Sequence, residues 1–196
     1  ATRPPLDEKF SVCHVGSINA DRNPKMLWVA LGELCREDEN FKRELVIRLV
    51  GKNDLSVYEG IEENGLTPNL ERIDYVPHAE IASIQQRSHV LLLPINDTPN
   101  VMGIIPGKIF EYLAAQRPIL VIGKEDGDSA RIVRESNTGI VCDFNDKPKM
   151  KSEIAKLFSE WKRGNLQTNG EGVTQYSRKK LAGKFAELFD ELAKRK

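Results

Sequence analysis

Pro106-Gly107-Lys108-Ile109-Phe110-Glu111-Tyr112-Leu113-Ala114-Ala115-Gln116-Arg117-Pro118-Ile119-Leu120-Val121-Ile122 decides how this chain folds. A Gly/Pro loop runs into a short helix with Lys108 and Glu111 one turn apart. Arg117-Pro118 stops that helix and an all-apolar strand follows. This is half of a nucleotide-binding α/β unit. The first N–H groups of a helix have no intrahelical partner and carry the positive end of its dipole, which suits phosphate. A carboxylate one turn further in is placed to accept hydrogen bonds from ribose hydroxyls.

Working outward, Pro94 to Gly107 follows an apolar strand directly and is long for a βα loop, whose usual length is about two to six residues. Long loops at that position carry function. Gly103 and Gly107 permit close backbone approach to a ligand. Lys108 can reach phosphate as a point charge; its plainer role is an i,i+3 pair with Glu111, worth about 0.2–0.5 kcal/mol.

Apolar runs alternate with helical patterns along most of the chain, the mark of a parallel sheet covered by helices. The fold class is therefore α/β, a Rossmann-like parallel sheet. Strands are expected near Ser11–Val15, Glu44–Val50, Arg72–Tyr75, Val90–Leu93, Ile119–Ile122 and Gly139–Cys142. Helices fall between them, the first capped at Asn23-Pro24 and the others covering roughly 56–64, 78–87, 108–116, 129–135 and 149–161. Residues 1–9 read as a lead, 10–162 as the nucleotide-binding domain, 163–173 as a polar, Gly-rich linker and 174–196 as a terminal amphipathic helix. Leu181, Phe185, Leu188, Phe189 and Leu192 recur at helical spacing there, and docking onto this domain is the simplest expectation.

Val15-Gly16-Ser17-Ile18-Asn19-Ala20-Asp21-Arg22-Asn23-Pro24 joins the first strand to a helix, the usual place for a diphosphate at the carboxyl edge of a sheet. The G-x-G-x-x-G fingerprint is absent, which argues against NAD or FAD. Val76 and Pro77 close the third expected strand, where main-chain groups can pair with a nucleobase edge. His14 and His89 sit in or beside strands and read as packing residues. His78 reads as a helix N-terminal residue. Asp126-Gly127-Asp128 imitates a D-x-D metal motif, but Asp128 or Ser129 serves naturally as a helix cap, so no metal is assigned.

With 29 basic and 29 acidic residues, no net field draws the chain to nucleic acid or to an anionic surface. Its three cysteines are far apart, without C-x-x-C spacing, and read as buried thiols in a reduced, cytoplasmic setting. No run of about 18 apolar residues marks a membrane span, and Ala1-Thr2-Arg3-Pro4-Pro5 has no signal-peptide core. The abrupt, Pro-rich start before the first strand looks like a domain boundary.

The central stretch resembles the donor-binding signature of the GT-B glycosyltransferases of family 4, P-x-K-x-x-E-Y-x-A-x-x-x-P-[IV]. The first loop is similar to that family's V-G-[RS]-x(4)-[KR], with Arg22 at the second basic position and Ser17 where many members have Arg. Gly103 stands eight residues before Glu111, where many members have a sugar-touching Glu. The resemblance covers about Val12 to Phe158. It implies one half of a GT-B fold, the C-terminal one, holding a UDP-, GDP- or ADP-sugar as donor with no other cofactor. Glu111 would take the ribose. Gly103, Ile104, Ile105, Pro106, Gly107 and Lys108 would line phosphate and sugar, Gly16, Ser17 and Arg22 the diphosphate, and Val76 and Pro77 the base. Arg22 and Lys108 become the candidate catalytic groups, steadying the leaving diphosphate. The resemblance further implies sugar transfer with retention to a saccharide or lipid-linked acceptor in cell-surface polysaccharide or glycoconjugate synthesis. A missing N-terminal half would hold that acceptor and make any peripheral contact with the inner membrane face. Two alternatives stay open: a non-catalytic nucleotide-binding module, and half of a GT-B-like sugar epimerase.

Overall fold

The computed structural model describes residues 3–168 and 170–194. Six parallel strands form one sheet: β1 (Phe10–Val15), β2 (Leu45–Val50), β3 (Leu70–Ile73), β4 (Val90–Pro94), β5 (Ile119–Ile122) and β6 (Gly139–Cys142). Their order is β3-β2-β1-β4-β5-β6, so the winding direction reverses between β1 and β4. In an open α/β sheet the crevice at the carboxyl ends of such a strand pair is where ligands bind.

The helices are α1 (Lys25–Glu37), α2 (Glu39–Glu44), α3 (Leu55–Glu63), α4 (His78–Arg87), α5 (Lys108–Ala115), α6 (Asp128–Glu135), α7 (Lys147–Lys162) and α8 (Arg178–Lys194). Alternate strand residues feed two cores. Phe10 and Val12 join Trp28 and Leu31 of α1, Val57 of α3 and Ile154 of α7 on one face. Cys13 and Val15 join Ile84 of α4, Tyr112 of α5 and Val133 of α6 on the other. Burial on both faces explains why strands such as Leu91-Leu92-Leu93 are apolar without a break. Cys13, Cys35 and Cys142 are free and buried, and burial lifts the Cys13 and Cys35 thiols to about 11.

Several local expectations need correction. β3 begins and ends earlier than Arg72–Tyr75, because the Asn69 carboxamide donates to Lys42 O (2.7 Å) and Leu45 O (2.9 Å) and fixes the strand start beside β2. Its register is Ile47↔Leu70 through Val50↔Ile73, leaving Tyr75 83% exposed beyond the edge. A short helix, α2, stands where only the approach to β2 was expected; Asp38 accepts from Asn40 N at 2.8 Å and Phe41 is buried. Asn23 does not cap α1. Pro24 holds that position, while the Asn23 side chain accepts from Trp28 Nε1 (2.8 Å) and donates to Ser56 O of α3 (3.0 Å). Neither Asp128 nor Ser129 caps α6 either. Gly127 precedes the helix, Asp128 pairs with Arg131, and Ser129 Oγ donates to Ile104 O at 2.6 Å.

After α7 the chain turns back through 3-10 turns at Gly170–Tyr176. Val173 and Tyr176 pack against the second core, and the Tyr176 hydroxyl donates to Glu135 at 2.7 Å. α8 then presents its apolar residues to solvent, with Phe185 62% and Phe189 65% exposed, instead of docking them on the sheet domain. Among the described residues no helix is long and apolar enough to cross a membrane.

Candidate donor-binding cleft

The β1–α1 and β4–α5 loops meet at the reversal point. Asp97 N donates to Asp21 O (2.9 Å), stitching one loop to the other. Arg22 Nε and Nη2 both donate to Asn96 Oδ1, at 2.9 and 2.7 Å, and Nη1 reaches Ser17 O at 3.4 Å. The Arg22 guanidinium is thus held half-buried by neutral acceptors. Arg22, Lys25, Asp97 and Phe144 line a pocket of about 310 Å³ beside it.

Gly16 is the hinge of the site. Its φ of +117° favours glycine, and its N–H donates to Val50 O at 2.6 Å. A Cβ there would lie 2.0 Å from Lys108 Nζ and 3.8 Å from His14 Nε2. Glycine at this position therefore lets the α5 lysine reach across the end of β1. Among the described residues the Lys108 ammonium makes no ion pair. Its pKa is lowered, chiefly by burial and further by Arg22, against the opposing pull of Glu111. The simple Lys108–Glu111 pair is not formed. Glu111, exposed, accepts from Gln85 Nε2 at 3.1 Å instead. Two cations therefore converge on the mouth of β1, and among the described residues neither forms an ion pair, although Glu111 acts on Lys108 through its charge and Asp97 lines the pocket beside Arg22.

Gly103 and Ile104 use their amides inside a 3-10 turn, donating to Asn100 O (3.2 Å) and Val101 O (3.3 Å). The amides of Ile105, Gly107 and Lys108 have no partner among the described residues, so the free donors lie at the start of α5 itself. Pro106 supplies no N–H and its carbonyl accepts from Ile109 N. On the far side of α5, Glu111 shares a hollow of about 230 Å³ with His78, Ile81 and Gln85 of α4. Pro77 is the cap residue of that helix and exposed. Val76, half-buried, leans on the second core. The structure thus gathers Gly16, Ser17, Arg22 and Lys108 at one place and sets Glu111 and Pro77 on the two helices bordering the next.

One residue that sequence reasoning assigned to packing stands out. His89 does pack, with Phe10 and Trp161 around it and Ser11 N donating to its Nδ1 at 3.2 Å. His14 differs: it is 1% exposed, its Nδ1 lies 2.9 Å from Leu92 O, and among the described residues its Nε2 has no hydrogen-bond partner. The legible signal was a polar side chain in an apolar strand, two residues before Gly16.

A family model described as "Glycosyl transferases group 1" matches residues 9–160. The chain belongs to that family. No curated protein matches it in sequence. Its fold is shared with solved GT-B glycosyltransferases at low identity. A glycosyltransferase from Rickettsia africae superposes with a TM-score of 0.71 at 16% identity, over 97% of this chain and 49% of that one. Sucrose-phosphate synthase from Thermosynechococcus elongatus gives 0.68 at 15%, over 96% and 47%. The C-terminal domain of a glycosyl transferase group 1 family protein from Francisella tularensis gives 0.61 at 11%, over 87% and 84%. The chain spans about half the length of the Rickettsia and Thermosynechococcus chains. Within this family fold, the sheet and its flanking helices correspond to one Rossmann-like half.

Proposed function

We propose that this chain is the donor-binding half of a glycosyltransferase that moves a sugar from a nucleoside-diphospho-sugar to a saccharide or lipid-linked acceptor held by a second half outside it. The observation carrying this reading is the unmatched pair of cations, Arg22 and Lys108, at the β1/β4 reversal beside the free amides of α5. A diphosphate supplies the missing negative charge. Glu111 then accepts from the ribose hydroxyls, and the 76–78 corner borders the base.

Catalysis in this reading is positioning and charge stabilisation. As the bond from the anomeric carbon to the diphosphate oxygen breaks, negative charge grows on the leaving group. Arg22, Lys108 and the Gly107 and Lys108 amides are already oriented to meet it, so little reorganisation is needed. Retention at the anomeric carbon and a role in cell-surface glycan synthesis at the cytoplasmic face belong to the same proposal. Calorimetric titration with UDP, GDP, ADP and the matching nucleosides tests it. At least one diphosphate binds more tightly than its nucleoside, and does so in EDTA; equal affinity for both removes the phosphate assignment. The chain alone turns over no acceptor, because one half leaves the donor open to water.

A non-catalytic nucleotide-binding module is the second reading, favoured by Ser17, exposed where many family members carry a cation. Transfer activity of the chain joined to an acceptor-binding half decides between the two.

A further inference from the structure

Among the described residues two buried side-chain nitrogens lack a hydrogen bond, Arg87 Nε and His14 Nε2. Arg87 Nε lies 3.6 Å from the Asp7 carboxylate, so its charge is answered. His14 Nε2 has no such neighbour. Its other nitrogen, Nδ1, faces the Leu92 carbonyl at 2.9 Å. A carbonyl only accepts, and the ring is bordered by two, those of Leu92 and Ser17; the Leu92 contact is the one with hydrogen-bond geometry, so Nδ1 carries the proton and the neutral ring leaves Nε2 as a lone pair. Burial first, with the nearby charges of Lys108 and Arg22, holds the His14 pKa down to about 3, so this neutral form persists at physiological pH. A buried acceptor without a donor is costly.

The donor at hand is Lys108. Its Nζ and His14 Nε2 flank the same point, the empty Cβ position of Gly16, at 2.0 and 3.8 Å. The ammonium has three N–H bonds and, among the described residues, no hydrogen-bond or ion-pair partner for them. Phosphate, which only accepts at neutral pH, cannot satisfy the lone pair.

We propose that His14 is the positioning residue for Lys108: a turn of the lysine stem closes the gap the structure leaves between the two nitrogens, so that Nε2 accepts one N–H of the ammonium, holds the cation over Gly16 and leaves the remaining N–H bonds facing the ligand diphosphate. The ligand in this statement rests on the donor-binding function proposed above; the contact itself does not. A neutral imidazole suits the task better than a carboxylate, because it orients the ammonium without cancelling its charge or competing with phosphate. Lysine has a long, mobile stem, and fixing it in advance lowers the ordering cost when the anion arrives.

Two measurements on the full chain test this. In the ligand-free protein, nitrogen-15 NMR of the histidine rings gives a protonated Nδ1 and an unprotonated Nε2 for His14. Lys108→Met moves the Nε2 resonance toward that of a free lone pair while leaving His89 in place. An unmoved Nε2 overturns the contact, whatever the ligand proves to be. In calorimetry with UDP, GDP and ADP, using whichever binds wild type, His14→Met weakens binding about tenfold. His14→Gln, which restores an acceptor near the Nε2 position, recovers most of that loss. The double variant Lys108→Met/His14→Met binds no worse than Lys108→Met alone. Additive losses overturn the proposal. So does a His14→Met loss confined to nucleotide-sugars and absent for the diphosphates, since His14 then meets the sugar itself. Absence of nucleoside diphosphate binding by wild type removes the function instead, and the NMR result still decides the contact.

Discussion

Two buried or half-buried cations in this protein are treated in opposite ways. Arg48 of β2, 7% exposed at its side chain, is clasped by Asp7 from the N-terminal lead (2.5 Å) and by Glu71 of β3 (2.8 Å). Burial alone would lower its pKa, but the Asp7 hydrogen bond and the two carboxylate charges outweigh that and raise it. Lys108, at the carboxyl edge of the same sheet, is desolvated, has a second cation beside it and lacks any anionic partner among the described residues. Arg48 is satisfied within the scaffold; in the proposed function, Lys108 is the charge left for the ligand to satisfy.

Removing an anion from the first site should have the largest effect. Asp7→Ala leaves the buried Arg48 with Glu71 as its one carboxylate, a loss of up to about 3 kcal/mol, and lowers the melting temperature by up to roughly 10 °C while nucleotide affinity in the folded protein stays unchanged. Retention of full stability, read by thermal denaturation, would show that the lead does not lock onto the sheet.

The second site should respond in the opposite sense. Lys108→Met removes a charge that folding disfavours. Since the folded pKa of Lys108 lies below its unfolded value, the charged form weakens the fold at neutral pH, and that penalty disappears as pH rises past about 10.5. The variant should melt no lower than wild type, and slightly higher at pH 7, while diphosphate binding falls about tenfold or more. A lower melting temperature would place Lys108 among the scaffold charges.

Glu111→Gln comes next. Charge-assisted hydrogen bonds to ribose are worth about 1.5–3 kcal/mol, so diphosphate and nucleoside affinities both drop roughly tenfold, with the melting temperature moving by no more than a few degrees. Gln85 can still pair with the amide, so unfolding is not expected. An unchanged affinity would return Glu111 to the role of a surface helix residue.

The smallest effect is on acid stability. His14 and His89 have folded pKa values of about 3 and 4, both lowered first by burial. The unfolded chain therefore binds more protons below pH 6.5, so stability falls as pH drops from 6.5 toward 4. His14→Met should flatten that slope by about one proton, measured by denaturant unfolding across the range. An unaltered slope would mean that His14 is already charged in the folded protein.

The contrast between the two cations also explains what could be read in advance. The sheet was legible because burial on both faces makes each strand an unbroken apolar run, and the helix that carries Lys108 and Glu111 was legible because a Gly/Pro loop and Arg117-Pro118 bracket it. Residues 1–9 read as a lead, yet Asp7 is tied into Arg48 and its N–H donates to Arg87 O at 2.9 Å. No local pattern announces a partner 41 positions away. The shift of β3 has the same origin, since Asn69 sets that strand through carbonyls of the preceding unit. Helix caps failed at Asn23 and Ser129 because tertiary partners, Trp28 with Ser56 and the Ile104 carbonyl, claimed those side chains. His14 was passed over because its role depends on an atom of α5 arriving at Gly16, a coincidence of topology.

The comparison of UDP with uridine, or of whichever nucleoside diphosphate binds with its nucleoside, in wild type and in Lys108→Met, tests the central claim most directly. If the cleft at β1 and β4 was left positive for a diphosphate, wild type prefers the diphosphate by at least about tenfold, and Lys108→Met loses most of that preference while its affinity for the nucleoside is unchanged. Equal preference in the two proteins, or none in wild type, would contradict it.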